Sequence, residues 1–149
     1  MALSTSRDRV PAHTSSDVNH RIEEVTKARI SQLADHPDAI AARLNELDEE
    51  WDIERAIEAN AASLAFVGVV LGYFADPYWL LLPALVTAFL FQHAIQGWCP
   101  PVPILRRLGF RTVYEIEQER HALKLLRGDY HSLDRSRDKA AAALQATKS

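Results

Sequence analysis

The side chain with the most evident chemical reactivity is that of Cys99, the only cysteine of the chain. Arg106 and Arg107 follow it, and cations near a thiol lower its pKa and favour the thiolate that persulfide chemistry requires. The sequence places no base beside this thiol. A buried structural cysteine packed against Trp98 is the alternative, and the spacing alone favours it.

A second group of candidates consists of uncharged polar side chains within long apolar stretches: Asn60, Ser63, Gln92, His93 and Gln96. Polar side chains inside a membrane are candidates for function, and their alternative role is hydrogen bonding between helices. His93 could contact a haem or a quinone, although no second histidine lies in the same stretches to complete an axial pair. We predict no cofactor and no metal, since one cysteine also excludes a multi-cysteine zinc site.

These candidates lie in a segment, 59–105, whose only formal charge is Asp76. Two apolar runs, at about 57–75 and 78–98, are long enough to cross about 30 Å of hydrocarbon as helices. Asp76 and Pro77 predict a turn between them, because proline cannot continue a helix and aspartate caps the next one. The sequence therefore predicts a two-span transmembrane hairpin. A helical hairpin buried in a soluble core is the alternative.

The positions of Lys and Arg predict the orientation of this hairpin. The turn carries no cation, whereas Arg55 precedes the first apolar run and Arg106, Arg107 and Arg111 follow the second. Both termini are therefore expected in the cytoplasm, in a multi-pass protein of the bacterial inner membrane. The N-terminal residues contain no apolar run and are not expected to be a secretory signal.

Small residues recur at four-residue spacing on both apolar runs, as Gly68 and Gly72 and as Ala84 and Ala88. Such spacing lets helices approach closely within a membrane. We expect one stripe to pack the hairpin together and the other to join copies of the chain. The expected partners are therefore membrane lipid and either a second copy or the other subunits of a membrane complex.

Outside the hairpin, helical periodicity and cap residues predict amphipathic helices. One helix runs from Ser16 to about Ala34, and a second begins at Pro37. A third follows Thr112 and stops at Gly128, a residue type that often ends helices. The apolar stripe of the second helix needs a partner, either the C-terminal helix or a second copy, and consists of Ile40, Leu44, Leu47 and Trp51.

The predicted fold class is therefore an all-α membrane protein, a two-span transmembrane helical hairpin flanked by cytoplasmic amphipathic helices. The predicted organisation is a disordered N-terminus (1–15), cytoplasmic amphipathic helices (16–55), the transmembrane hairpin (56–105), a cytoplasmic basic helix (106–128) and a flexible tail (129–149).

The charge distribution excludes one class of partner. Residues 1–58 hold 7 Lys and Arg against 13 Asp and Glu, whereas residues 106–149 hold 10 against 6. A nucleic-acid surface needs clustered cations, and the acidic N-terminal third would repel phosphates. We therefore expect no nucleic-acid partner.

Three short motifs together resemble the YgaP-type transmembrane domain, a family of small inner-membrane helical hairpins of unknown function. They are Trp51-x-x-Glu54-Arg55, Gly97-Trp98-Cys99-Pro100 and Leu105-x-x-Leu108-Gly109. The resemblance covers about residues 51–110 and implies a membrane hairpin that tends to dimerise. Catalytically active members carry a separate rhodanese domain, which these 149 residues do not contain. The resemblance therefore implies no catalytic residue.

The sequence as a whole predicts a small non-enzymatic membrane protein that acts by self-association or as an accessory or scaffold subunit. Two alternatives stay open. One is a sulfur relay in which Cys99 carries a persulfide for a sulfurtransferase, and the other is a haem- or quinone-contacting subunit that uses His93.

Overall fold

The computed structural model of the chain describes residues 5, 7–130 and 138–148. Every regular element in these residues is helical, in agreement with the predicted all-α class. The elements are α1 (Ser16–Ala34), α2 (Pro37–Glu49), α3 (Ile53–Phe74), α4 (Leu81–Gln96), α5 (Val102–Arg107), α6 (Val113–Arg127) and α7 (Lys139–Lys148), with short 3-10 helices at Pro11–His13 and Pro77–Leu80.

Cap residues and prolines account for several of these boundaries. α2 begins at Pro37, where the missing N–H of proline removes no intrahelical hydrogen bond. The side chain of Asp52 accepts a hydrogen bond from the backbone N–H of Arg55 at 2.8 Å and so caps α3. At the predicted turn, the Asp76 side chain accepts a hydrogen bond from the backbone N–H of Tyr78 and so caps the 3-10 helix Pro77–Leu80. Pro83 lies in the first turn of α4, where proline is tolerated.

Three predicted segments differ from the structure. Residues 106–128 do not form one basic helix, because α5 ends at Arg107 and α6 begins only at Val113. The tail predicted to be flexible contains α7, while 131–137 and 149 lie outside the described residues. The N-terminus predicted to be disordered is folded over residues 7–15, where Val10 is buried; residues 1–4 and 6 lie outside the described part.

The chain divides into two compact units, 1–23 with 51–114 and 24–50 with 115–149. The first unit contains α3 and α4, which pack as an antiparallel hairpin. At the end of this hairpin where α3 begins and α4 ends, five buried residues form a cluster that we call the hairpin-end core: Val10, Ile53, Ile57, Cys99 and Val102.

Two helices of the described residues are long and apolar enough to cross a membrane. One ends at Phe74 and the other spans Pro77–Gln96, and only 22% and 6% of their most apolar windows are buried inside the protein. A core helix of a soluble protein would bury most of such a surface. Large apolar side chains such as Phe66 and Phe91 are instead exposed.

The second unit has a core between α2 and α6, so the apolar stripe of α2 packs on the C-terminal helix, one of the two partners that the sequence left open. Its buried members are Ile40, Leu44, Leu47, Ile116 and Leu123. Trp51 does not belong to this stripe, because α2 ends at Glu49 and the Trp51 side chain is 47% exposed.

A buried ionic network joins the helices of the second unit. Glu119 on α6 is fully buried and accepts hydrogen bonds from Arg43 Nε at 2.8 Å and from Arg29 at 3.2 Å. Burial alone would lower the pKa of Arg43, but its hydrogen bonds to Glu119 and Glu46 outweigh that effect and raise it. Arg43 therefore stays charged, and its charge is neutralised within the unit.

Candidate functional site

The glycine stripe of α3 packs the hairpin together. A Cβ atom on Gly68 would lie 2.4 Å from Pro83 Cδ, and one on Gly72 would lie 2.6 Å from Leu80 Cδ2. Neither position has room for a side chain while its neighbours stay in place. Ala84 and Ala88 on α4 are exposed, so the second stripe is left open on the outer surface.

Most of the polar residues in the apolar helices bond along their own helix. Asn60 and Ser63 are exposed, and the Ser63 hydroxyl donates to the Ala59 carbonyl at 2.7 Å. Gln92 donates to Gln96 at 3.5 Å, a long contact within α4. The expected hydrogen bonds between helices are not found for these side chains in the described residues.

His93 differs from the other four because it is buried, at 5% exposure. Neither of its ring nitrogens has a hydrogen-bond partner among the described residues. Close by, an Arg9 guanidinium N–H donates to the carbonyl of Ala94 at 2.9 Å, and Arg9 lies 3.9 Å from Glu54. A buried imidazole without a partner is destabilising, since it has lost its hydrogen bonds to water.

Gly97 is the C-cap of α4 and lies against the N-terminal segment at Arg9. Its φ of +75° is in the left-handed region, which glycine adopts without steric cost. A Cβ atom there would lie 2.5 Å from the carbonyl carbon and oxygen of Arg9. Residues near Arg9 therefore close over the end of the hairpin, and only glycine allows this approach.

Cys99 lies in the hairpin-end core at 2% exposure. Burial raises the pKa of its thiol, and a backbone hydrogen bond of Val102 offsets this only in part. The shift is opposite to the lowering by Arg106 and Arg107 that the sulfur-relay alternative needs. The Arg106 side chain is itself buried and donates to the Phe110 carbonyl at 3.1 Å and to Asn19 Oδ1 at 2.9 Å. The environment of Cys99 is thus that of a structural cysteine.

A cavity of about 220 Å³ opens between α3 and α4 beside the hairpin-end core. Its lining is apolar apart from Asn60, so it could take a hydrocarbon chain but offers little to a polar substrate. The lining residues are Ile57, Asn60, Ala61, Leu64, Val86, Phe89, Leu90, Cys99, Pro100 and Pro101. In the part of the chain that the structure describes, no group of three or more His, Cys, Asp or Glu could hold a metal ion.

Comparison with family models, curated proteins and solved structures finds no match to this chain. The YgaP-type resemblance is therefore carried only by the motifs at 51–55, 97–100 and 105–109 and stays a prediction.

Sequence reasoning missed two arginines that organise this end of the hairpin, Arg9 and Arg106. Arg9 lies in a segment without periodicity, and nothing in its neighbours indicates that it contacts α4. Arg106 follows the second apolar run, and its sequence position indicates an orientation cation or a neighbour of Cys99 but not a buried side chain bonded to Asn19. The one available signal was Gly97, because a glycine directly after a long apolar helix indicates a sharp helix end.

Proposed function

We propose that this protein is a non-enzymatic integral membrane protein, anchored by the α3–α4 hairpin, that acts by self-association or as an accessory or scaffold subunit. One observation carries the proposal, the apolar outer surface of α3 and α4. Packing within the chain buries only 22% and 6% of the most apolar windows. Exposed to water, an apolar surface of this extent would favour aggregation, whereas lipid covers it without cost.

The antiparallel packing gives this anchor a direction. The beginning of α3 and the end of α4 lie at one end of the hairpin, and the turn at Asp76 and Pro77 lies at the other. The turn carries no Lys or Arg, whereas Arg55 and Arg107 stand near the opposite end. The positive-inside rule then favours cytoplasmic termini and, in a bacterium, the inner membrane.

The second unit supports the scaffold part of the proposal. It is a helical body with its own core and a neutralised ionic network, joined to the anchor by continuous chain. The open Ala84 and Ala88 stripe supports self-association, because small residues at this spacing let a second helix approach. The YgaP-type resemblance implies a membrane hairpin that tends to dimerise, which is consistent with both the scaffold role and self-association.

The orientation can be tested with two single cysteines on exposed positions, Tyr78→Cys in the turn and Gln118→Cys on α6. In intact cells, a membrane-impermeant maleimide should label position 78, whereas position 118 should be labelled only after lysis. The native Cys99 is retained, and the unmutated chain gives the background. Release of the protein by alkaline carbonate, or equal labelling at both positions before lysis, would contradict a spanning hairpin.

The scaffold role can be tested by crosslinking in native membranes followed by purification and mass spectrometry. We expect a discrete product that contains either a second copy or one defined membrane protein. A chain that remains monomeric at every crosslinker length, with no reproducible partner, would overturn this part of the proposal.

A further inference from the structure

α5 presents aliphatic side chains outward and an arginine inward. Ile104 and Leu108 are 63% and 71% exposed, whereas Val102 and Arg106 are fully buried. Leu108 directly follows α5 with helical backbone angles, so Ile104 and Leu108, four residues apart, lie on one face beside the exposed Arg107. A helix whose outer face meets water would bury the aliphatic side chains and expose the arginine.

Hydrogen bonds fix the orientation of α5 about its own axis, with Arg106 inward and Ile104 outward. The buried guanidinium of Arg106 donates to the Phe110 carbonyl and to Asn19 Oδ1. Arg21 donates to the backbone carbonyl of Arg107 at 2.8 Å. A rotation of α5 that buried Ile104 and Leu108 would break these bonds and leave the Arg106 charge without its acceptors.

The position of α5 along the hairpin indicates what covers this face. Only residues 97–101 separate α4 from α5, and Val102 packs with Ile53 in the hairpin-end core. Trp51 precedes the same end of α3, with the Arg55 guanidinium 4.3 Å from the centre of its ring. Tryptophan and arginine are typical of the membrane–water boundary, where an apolar ring or stem is buried and the polar group stays hydrated.

We infer that α5 is an interfacial helix whose Ile104 and Leu108 side chains insert into the lipid at the boundary of the headgroups. This inference rests on the proposed membrane-spanning hairpin. Arg107, beside the inserted pair, lies at the level of the lipid phosphates, which attract cations at an anionic surface. The occupant of this face is the lipid surface itself.

Spin labels on the full chain test this placement in vesicles of phosphatidylethanolamine and phosphatidylglycerol. Nitroxides are attached to Ile104→Cys and Leu108→Cys, with Arg107→Cys as the matched control on the same helix. Phe66→Cys and Leu85→Cys serve as references within the hairpin, and Gln118→Cys on α6 as the reference for water. All six replace exposed side chains. The unmutated chain, treated identically, corrects for any reaction of Cys99.

We expect the labels at 104 and 108 to collide more with oxygen than with a nickel chelate, as labels in lipid do, and less strongly than those at 66 and 85. The label at 107 should favour nickel. Nickel accessibility at 104 and 108 equal to that at 118 would overturn the inference. If the labels at 66 and 85 still favour oxygen in that case, the proposed spanning hairpin stands. Low accessibility of 104 and 108 to both reagents would also overturn it, since a protein partner would then cover the face. Nickel accessibility at 66 and 85 would overturn the proposed function itself.

Discussion

Gly68 faces Pro83 so closely that a Cβ atom built on the glycine would lie 2.4 Å from the proline Cδ. The proline ring is rigid, and the Pro83 nitrogen would lie only 3.3 Å away, so the contact cannot be relieved by a side-chain rotation. The two helices would have to separate. The closest approach of the hairpin thus depends on one residue without a side chain.

We therefore predict that Gly68→Ala destabilises the hairpin by about 1–3 kcal/mol, the usual cost of inserting a methyl group into packed structure. Thermal unfolding in detergent, followed by circular dichroism, measures the change. Ala62→Leu is the matched control, since it enlarges a small residue on the exposed face of α3 that belongs to neither stripe. A stable Gly68→Ala protein would mean that α3 and α4 are not held this closely.

Substitution on the open stripe should instead affect association. Ala84→Leu and Ala88→Leu together should weaken self-association in membranes, because the larger side chains keep a second helix at a distance. Energy transfer between labelled copies in vesicles measures the effect, with Leu85→Phe as a control for added bulk on the same helix. If energy transfer is unchanged, any dimer uses another face.

Loss of the Glu119 carboxylate should lower the free energy of unfolding of the second unit. Glu119→Gln removes the buried counter-charge of Arg43, and breaking a buried pair costs about 3–5 kcal/mol when the remaining charge has no other partner. Because Arg43 keeps Glu46 and Glu50, we expect a cost of about 2–3 kcal/mol. Glu117→Gln, on the same helix but 41% exposed, should cost less than about 1 kcal/mol. Hydrogen exchange of the α2 and α6 amides in the full chain distinguishes the two. Equal protection in both variants would show that the network contributes little.

Cys99 should react slowly and at high pH. Because burial raises the pKa of its thiol, less thiolate is present at pH 8 than in a free cysteine, whose pKa is about 8.5. Iodoacetamide should modify it at least about tenfold more slowly than Gln118→Cys, and its rate should still rise above pH 9. Fast modification near neutral pH, or a persulfide formed from thiosulfate with release of sulfite, would favour the sulfur-relay alternative.

His93→Leu should leave the protein as stable as before or stabilise it, by up to about 1–3 kcal/mol, because it removes buried ring nitrogens that have no partner in the described residues. The control is Gln96→Leu, an exposed position on the same helix for which no such gain is expected. Thermal unfolding in detergent measures both. A Soret band in the purified protein that disappears with His93→Leu would favour the haem alternative instead.

Local signals predicted much of this fold. Pro37, Asp76 and Gly128 mark helix boundaries because each acts on its own backbone. The stripe from Ile40 to Leu47 predicts which face of α2 is buried because helical periodicity is regular, but not whether α6 or a second copy covers it. These signals act within a few residues of where they occur. They need no knowledge of the rest of the chain.

The arrangement around Cys99 could not be predicted in the same way. It depends on contacts between residues far apart in sequence, such as Arg9 with Ala94 and Arg106 with Asn19. Nothing local distinguishes these arginines from surface cations. The lowering of the Cys99 pKa that the sulfur-relay alternative needs is not found, since Arg106 bonds to Phe110 and Asn19 and burial determines the shift.

The closure of the hairpin end by Arg9 imposes an order on biosynthesis. Arg9 and Ala94 are 85 residues apart, so the segment around Arg9 must wait until both apolar helices have been made before it finds its partner. The first unit likewise cannot be completed until the chain has passed through residues 24–50 of the second. A nascent chain stalled before Gly97 would therefore leave Val10 and the start of α3 without their buried contacts, and such transiently exposed apolar surface favours aggregation.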